Sequence, residues 1–216
     1  TEHHSRFPLN MDEQVIRSVI KWPDVPVCHG WLAFDRRGIW RMRNEYAQAN
    51  HLPGDAINHE GLIHFIQRNL AHNESGEWFF QNGPQRVYID LSYTPFIARI
   101  YPSNNSLLLK TTDGQEISPI NVFLDECGQI LLSCQLEIQS SKDLSQPTSS
   151  FEKKMETVYV LLHDHDLELF SKSSEFANAC GYAGKWVWQG KSYEINLISS
   201  KEIKKHHGLL FSARNS

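Results

Sequence analysis

The chain has 216 residues, of which 40% are hydrophobic and 21% charged, which is enough apolar material for a packed core and too little charge for a disordered protein. Its 21 lysine and arginine residues and 25 aspartate and glutamate residues give a net charge of −4, which argues against a protein that neutralises a nucleic-acid backbone. The length fits one large domain or two of about 100 residues each.

The four cysteines lie far apart, at Cys28, Cys127, Cys134 and Cys180. No two have the spacing of a structural zinc site or a disulfide framework, so we expect reduced thiols. The first ten residues hold no apolar core of signal-peptide length, and no apolar run approaches the roughly 20 residues of a membrane-spanning helix. These features predict a cytoplasmic protein that contacts neither membrane nor nucleic acid.

Two helices are predicted in the first part of the chain. Apolar residues recur at helical spacing over 11–21, and Asn10 with Glu13 has the pattern of a capping pair. A second apolar stripe predicts a helix over 58–72, with Asn58 as its cap.

A β-hairpin is predicted between these helices. The aromatic-rich runs 29–35 and 39–44 flank Arg36-Arg37-Gly38, a turn whose glycine can adopt a positive φ. Strand alternation places Trp40 on the buried face. A further strand is predicted from Trp78.

From residue 85 onward, the hydrophobic period changes from that of a helix to that of a strand. Short turns separate the runs 86–91, 96–101, 106–110, 116–124 and 129–138. Consecutive strands joined by short turns predict an antiparallel meander. The serine-rich segment 139–154 is predicted to be a mobile loop or linker.

The last part of the chain is predicted to mix strands with short helices. Strands are expected at 155–162, 185–189 and 192–198, and a helical turn at 200–206. The segment 164–180 is ambiguous, and we favour a helix with Asp164 as its cap. The fold class is therefore α+β, with an N-terminal α+β lobe at 1–84 and an antiparallel β-rich lobe at 85–216.

Glycine, any residue and tryptophan follow one another three times, at 38–40, 76–78 and 184–186. Each triplet follows a polar turn and opens a predicted strand, which suggests a repeated hairpin unit and a duplicated domain. Coincidence is the alternative, because glycine often ends turns and tryptophan often begins strands.

An anion pocket is the favoured candidate site. Nine of the ten arginines precede residue 100, and arginine is the side chain suited to forked contacts with carboxylate or phosphate. Trp78 and Phe80 offer flat apolar surface, and neighbouring amides can recognise a polar ring. The predicted ligand-binding residues are Arg41, Arg43, Trp78, Phe80, Gln81, Asn82, Gln85 and Arg86, with Arg36 and Arg37 beside them. The alternative is that 81–85 is an ordinary polar hairpin loop.

A metal site is the second candidate. On a strand, His163 and His165 share one face and suit a transition metal, but a tetrahedral site needs a third ligand from elsewhere. Histidines that could supply it are His29, His59 and His64. Such a site would support a metal-dependent hydrolase. The alternative is a solvated helix start, in which Asp164 and Asp166 favour the positive end of the helix dipole.

Motifs of known catalytic chemistry are missing from the sequence. Cys28 and His29 are adjacent, so on a strand their side chains point to opposite faces, and neither a serine elbow nor a glycine-rich phosphate loop occurs. We therefore expect no cofactor and favour a binding protein over an enzyme. A protein-interaction module that uses exposed aromatic residues is a further alternative.

Three stretches, 29–42, 57–62 and 76–88, resemble a conserved proteobacterial family of unknown function. More distantly, the chain is similar to bacterial two-lobed proteins of unknown function, which share the order of hairpin, helix, Gly-x-Trp strand and a motif that reads Thr94-Pro95-Phe96 here. The resemblance implies a duplicated α+β core and a second lobe like a pleckstrin-homology barrel. It also implies a nucleotide-like ligand between the lobes, a role in signal transduction and no enzymatic activity.

Overall fold

The computed structural model describes residues 11–141 and 151–205. In this structure, 49% of the residues lie in strands and 21% in helices. The fold is therefore mainly β, and the predicted α+β class holds only as a coarse description. The helices are α1 (Glu13–Lys21), α2 (Glu45–Ala49), α3 (Glu60–Arg68), α4 (Leu167–Lys172) and α5 (Ser200–Lys205), with a 3-10 helix at Asp164–Asp166. None of the helices in this part of the chain is long and apolar enough to cross a bilayer.

The described chain contains fourteen paired strands, which range from two to twelve residues in length. The first seven are β1 (Cys28–Phe34), β2 (Trp40–Met42), β3 (Asp55–Ala56), β4 (Leu70–His72), β5 (Trp78–Asn82), β6 (Gln85–Leu91) and β7 (Ile97–Ser103). The remaining seven are β8 (Ser106–Thr111), β9 (Asn121–Asp125), β10 (Ile130–Ser141), β11 (Phe151–Leu162), β12 (Ser174–Ala179), β13 (Tyr182–Trp188) and β14 (Lys191–Ile198).

The chain divides into two compact units, each built from three separate segments. The described parts of 1–32, 42–89 and 137–154 form unit 1, and those of 33–41, 90–136 and 155–216 form unit 2. The lobe boundary expected between residues 84 and 85 stays a prediction.

Unit 1 is organised around the antiparallel strands β4, β5 and β6. Phe79 lies opposite Tyr88 in this ladder, and the end of β10 joins β4 in parallel. Helix α1 buries Val15, which packs with Met11 and Phe79 in one apolar cluster. Burial of such side chains stabilises the folded state by about 1.5 to 3 kcal/mol each, so the helix and the sheet depend on one another.

Capping in unit 1 differs from the prediction. Helix α3 begins after His59, whose Nδ1 accepts a hydrogen bond from the Leu62 amide at 3.1 Å, so the assignment of Asn58 as cap was wrong. The helix ends at Arg68 and not at residue 72, because the residues that follow pair with β5. Asp12 is the residue at the N-cap of α1, while the predicted cap Asn10 lies outside the described residues.

Unit 2 contains both antiparallel and parallel strand pairs. The hairpins β7–β8, β9–β10 and β13–β14 are antiparallel as predicted. However, β14 pairs with β9 in parallel, with Ile195 opposite Val122, and β11 pairs with β7 in parallel, with Leu161 opposite Ile97. The mostly antiparallel character of the sheet is therefore confirmed, whereas the strands do not pair in consecutive order as in a meander, because distant segments of the chain supply neighbouring strands.

Aromatic side chains fill the interior next to β13. Trp186 is 1% exposed and stacks on Phe170 of α4 with ring centroids 5.0 Å apart. The ring of Trp188 stacks on that of Trp186, with 5.1 Å between the ring centroids. These contacts fix α4 against the sheet of unit 2.

Two segments of the chain fold differently from the sequence prediction. The expected helix 164–180 consists of the 3-10 helix, α4 and β12 in succession, and His163 caps it in place of Asp164. Both ends of the expected serine-rich loop 139–154 are strand, because β10 extends to Ser141 and β11 begins at Phe151. The intervening 142–150 lie outside the described residues.

The three Gly-x-Trp triplets are not structurally equivalent. Their tryptophans are all buried, and Gly38 and Gly76 each donate a hydrogen bond that closes a turn. Gly184, in contrast, lies within β13 beside a register shift. The duplication of a hairpin unit stays a hypothesis.

Candidate functional site

The predicted anion-binding residues belong to both units. Arg36, Arg37 and Arg41 lie in unit 2. The others lie in unit 1: Arg43, Trp78, Phe80, Gln81, Asn82, Gln85 and Arg86.

In unit 1, the two aromatic residues of the predicted site are part of the interior. Trp78 is 2% exposed and Phe80 is 6% exposed. The ring of Trp78 lies 5.2 Å from that of His72, and Phe80 makes an edge contact with Phe65 at 5.5 Å. Their ring faces are thus used for packing.

Gln81 and Arg86 lie opposite each other on β5 and β6. The guanidinium of Arg86 lies 3.9 Å from the ring centroid of Phe79, and its Nη2 donates to the Ser141 hydroxyl at 3.3 Å. Gln81 donates from Nε2 to the Gly83 carbonyl, while its buried Oε1 has no partner within the described ranges. The structure therefore brings these two predicted residues together on the face of the sheet that carries Phe79.

The remaining predicted residues of unit 1 are Gln85, Arg43 and Asn82. Gln85 donates to the Pro26 carbonyl at 3.3 Å, and Arg43 donates to the Leu52 carbonyl at 3.1 Å. Asn82 is exposed at the end of β5. These contacts do not by themselves form a ligand cavity.

In unit 2, a tight turn presents two arginines. Asp35 Oδ1 accepts hydrogen bonds from the amides of Arg37 and Ile39 at 2.9 and 3.0 Å, and the Gly38 amide donates to the Asp35 carbonyl. Aspartate at the start and glycine at the end are typical of such turns. The turn therefore fixes where Arg36 and Arg37 leave the backbone.

Two of the arginines in this part of unit 2 are paired with carboxylates. Arg41 donates from Nε to Asp35 Oδ2 at 2.9 Å. Arg37 donates from Nε and Nη2 to Asp164 Oδ2, at 3.0 and 2.6 Å. This hydrogen bonding lowers the pKa of Asp164, so its carboxylate is ionised at neutral pH.

Arg36 differs from these two residues. Its guanidinium lies over the ring of Tyr93, with 5.2 Å between Cζ and the ring centroid. Tyr93 is buried and donates its hydroxyl to Asp125 at 2.7 Å, and burial together with that bond raises the pKa of the phenol. An open cleft of about 480 Å³ is lined by Asp35, Arg36, Arg37 and Ser92.

The segment after β11 is held to β7 by a buried carboxylate. Asp166 accepts from Arg99 Nε at 2.7 Å and Nη2 at 3.3 Å, and from the Ile100 amide at 3.0 Å. The hydrogen bond with Asp166 raises the pKa of Arg99. The His163 amide also donates to the Ala98 carbonyl. This anchoring fixes the 3-10 helix.

His163, Asp164 and His165 form a cluster at this point. Each offers one potential ligand atom, and these atoms all lie within 4.8 Å of one another. His163 is buried, and its Nδ1 accepts from the His165 amide at 3.1 Å. Burial and the nearby Arg99 lower the pKa of His163, so its imidazole is neutral at pH 7 and could hold a metal.

Sequence reasoning found the arginine turn and the two histidines but missed the residues that position them. Asp35 ahead of Arg-Arg-Gly is a readable signal, because aspartate three residues before glycine favours a turn. Tyr93, Asp125 and Asp166 carried no such signal. Their partners are distant in the chain and are brought close only by the sheet of unit 2.

The chain belongs to the family DUF2944, whose sequence profile matches residues 11–214. The description of this family reads "Protein of unknown function (DUF2946)". Membership in a family of unknown function is thereby confirmed. Among solved structures, the chain is similar to a DUF1285 family protein from Silicibacter pomeroyi DSS-3, with 14% identity and a TM-score of 0.41. That similarity covers 86% of this chain and 89% of the other. None of the curated proteins matches the chain.

Proposed function

We propose that the protein binds a small anionic ligand in the cleft of unit 2 lined by Asp35, Arg36, Arg37 and Ser92. The observation that supports this is the state of Arg36. Within 11–141 and 151–205, no carboxylate forms an ion pair with its guanidinium, whereas Arg37 and Arg41 each have one. Arg36 is therefore the cation in the cleft that is available to a ligand.

The contact with Tyr93 leaves the hydrogen-bond donors of Arg36 accessible. The N–H groups of a guanidinium donate in the plane of the group, whereas an aromatic ring contacts the flat face of the guanidinium. The forked donors match the paired oxygens of a carboxylate or a phosphate group. Ser92 also lines the cleft, and its hydroxyl is a group that can donate a hydrogen bond to an anion.

The carboxylate of Asp35 would oppose an anion, but its charge is already compensated. One oxygen accepts the turn amides and the other accepts from Arg41. Arg37 contributes positive charge at the edge of the cleft although it pairs with Asp164. The balance around Arg36 therefore favours a negatively charged ligand.

The volume of the cleft, about 480 Å³, lies within the range of about 300 to 1,000 Å³ typical of small-molecule sites. It is large enough for a nucleotide-like molecule or a small carboxylic acid. The cleft is open to solvent, so salt screens its charges and we expect modest affinity. Reversible binding of this kind fits a regulatory role better than permanent retention of a cofactor.

Titration calorimetry at low ionic strength tests the proposal with three probes: inorganic phosphate, AMP and succinate. We expect at least one probe to bind, and Arg36→Ala to weaken that binding by about tenfold or more, since a charge-assisted hydrogen bond is lost. Arg36→Lys keeps the positive charge but loses the paired N–H donors of the guanidinium, and it should give an intermediate affinity. Arg17→Ala removes an exposed arginine of α1 and serves as the matched control.

The three probes also separate the ligand classes. Binding of phosphate and AMP without succinate identifies a phosphate site, and the reverse identifies a carboxylate site. The proposal is wrong if no probe binds at millimolar concentration, or if the Arg36→Ala protein binds as tightly as the wild type.

A further inference from the structure

We infer that His163, Asp164 and His165 form a binding site for a divalent transition-metal ion that prefers imidazole ligands, such as Zn²⁺. The inference rests on the geometry of this cluster and is independent of the proposed anion site. The sequence suggested the two histidines with a third ligand from a distant part of the chain. The structure places Asp164 in that position.

The backbone of the segment explains why three consecutive residues converge. Neighbouring side chains of an extended strand point to opposite faces. Here β11 ends at Leu162 and a 3-10 helix begins at Asp164, so the chain turns within the cluster. As a result, one potential ligand atom from each of the three residues lies within 4.8 Å of the others.

Two of the ligand atoms lie slightly closer together than two ligands of one tetrahedral ion would. His163 Nδ1 and Asp164 Oδ1 are 3.0 Å apart. Two ligands of a tetrahedral ion with bonds near 2.0 to 2.1 Å lie about 3.3 Å from each other. The ring of His165 lies 4.7 Å from that of His163, and since His165 is exposed, its side chain can rotate to complete the set.

The lone pair of His163 Nδ1 currently accepts the His165 amide at 3.1 Å. The nitrogen therefore faces the turn, and its lone pair is occupied by this amide. A metal ion bound at Nδ1 would replace the amide proton. The site would then have two imidazoles and one carboxylate, leaving at least one position for water or a ligand.

Neighbouring contacts hold the cluster in place. Arg37 binds Asp164 through Oδ2 and leaves Oδ1 toward His163. Asp166 pins the 3-10 helix to β7 through Arg99 and the Ile100 amide. Such outer contacts orient metal ligands and raise affinity.

The local charge indicates which class of metal would bind. The positive charges of Arg37 and Arg99 are balanced by Asp164 and Asp166. Hard cations such as Mg²⁺ and Ca²⁺ rely on several oxygen ligands, and this cluster offers a single carboxylate. Binding therefore depends on the two imidazoles, which suit Zn²⁺, Ni²⁺, Co²⁺ or Cu²⁺.

The test uses protein without an affinity tag. Two pairs of adjacent histidines in the sequence could bind metal on their own: His3, His4, His206 and His207. The test therefore replaces all four by alanine and titrates Zn²⁺ in competition with a chromogenic chelator. We expect one ion per chain, no comparable binding of Mg²⁺, and a zinc X-ray absorption spectrum with two imidazole ligands.

Single substitutions in that background identify the ligands. His165→Ala and Asp164→Asn change exposed side chains and should each weaken Zn²⁺ binding by about tenfold or more. His64→Ala, on exposed His64 of α3, is the matched control and should leave binding unchanged. The inference is overturned if the four-alanine background binds no zinc, or if its His165→Ala form binds as tightly. This failure is distinct from that of the anion proposal, because the zinc titration contains none of the anionic probes.

Discussion

Arg37 donates from Nε and Nη2 to Oδ2 of Asp164, a residue 127 positions further along the chain. The arginine comes from the turn at the anion cleft, and the aspartate comes from the histidine cluster after β11. The ion pair therefore joins the two candidate sites of unit 2. It orients a side chain in each of them.

We expect this pair to contribute little to stability. The Arg37 and Asp164 side chains are 53% and 47% exposed, and exposed ion pairs contribute about 0 to 1 kcal/mol. A double-mutant cycle of Arg37→Ala and Asp164→Asn, followed by urea unfolding, should give a coupling energy below about 1 kcal/mol. A larger coupling would mean that the pair holds the fold together and does not only orient side chains.

Loss of the Asp166 carboxylate should be much more damaging. Its side chain is 6% exposed and accepts from Arg99 and the Ile100 amide. Removing one partner of a buried pair costs about 3 to 5 kcal/mol, because the other charge stays without compensation. Arg99 is 30% exposed, so water partly compensates its charge. We therefore expect Asp166→Ala to lower the free energy of unfolding by about 3 kcal/mol, the lower end of this range, as measured by chemical denaturation.

Glu168→Ala is the control for this substitution. Glu168 lies two residues later and forms an exposed pair with Lys172 on α4. Its removal should leave the unfolding midpoint almost unchanged. Equal destabilisation by both variants would show that Asp166 has no special anchoring role.

Local elements of this fold were readable from the sequence, whereas distant pairings were not. The periodicity over 11–21 predicts α1, and the strands predicted at 185–189 and 192–198 match parts of β13 and β14. The sequence did not reveal α2, whose five residues are too few to show an amphipathic period. Parallel pairs such as β14 with β9 also escaped, because nothing in either strand specifies its distant neighbour.

In the candidate sites, too, the sequence predicts local features but not contacts between distant residues. Arg36 and Arg37 were identified because consecutive arginines before glycine mark an exposed basic turn. The sequence predicts a stacking surface at Trp78 and Phe80, yet both side chains are buried. An aromatic strand residue has the same sequence pattern in a core as in a pocket. Tyr93 could not be assigned to Arg36, because their contact depends on how unit 2 folds.

Acid should weaken the contact that joins α1 to α3 in unit 1. Asp12 accepts from Arg68 Nε at 3.0 Å and from Asn69 Nδ2 at 3.2 Å. Hydrogen bonding from Arg68 lowers the pKa of Asp12. A lowered folded pKa gives stability that is present above the unfolded value, near 4, and is lost as the pH falls through the folded value.

Stability measurements between pH 7 and pH 2 on wild type and Asp12→Asn check this. The difference in unfolding free energy should be largest above about pH 5 and should shrink as the pH falls. In an Arg68→Ala background, the effect of Asp12→Asn should lose most of this pH dependence. A difference that stays constant with pH would contradict the assignment.

Thiol labelling should distinguish the cysteines by burial. Cys134 is fully buried on β10, and burial raises the pKa of its thiol to about 12. Since the thiolate is the reactive form, Cys134 should react with an aromatic disulfide reagent only when the structure opens. Cys127 and Cys180 are exposed and should react within the mixing period.

The control removes the other three thiols by Cys28→Ser, Cys127→Ser and Cys180→Ser. Labelling of this variant should be slow in buffer and fast in denaturant, with a rate that reports local opening. Rapid labelling in buffer would place Cys134 at the surface and contradict its position in the core.

Gly184 should not tolerate any side chain. Its φ is +136°, and a Cβ at this position would overlap the backbone carbonyl of Glu175 and lie 2.8 Å from Phe176 Cα on the neighbouring strand β12. Because backbone atoms cannot move aside as a side chain can, Gly184→Ala should destabilise the protein by about 3 kcal/mol or more. Thermal and chemical unfolding measure this directly.

Gly190→Ala is the matched variant, two residues beyond Trp188 in the same hairpin. Gly190 also has a positive φ, +78°, but a Cβ there would meet nothing within 4 Å. In Gly190→Ala only the strain of the left-handed backbone remains, and it should lower the free energy of unfolding by about 1 to 2 kcal/mol. If the two alanine variants were equally stable, β12 would not lie against Gly184, and the close approach of these strands would be wrong.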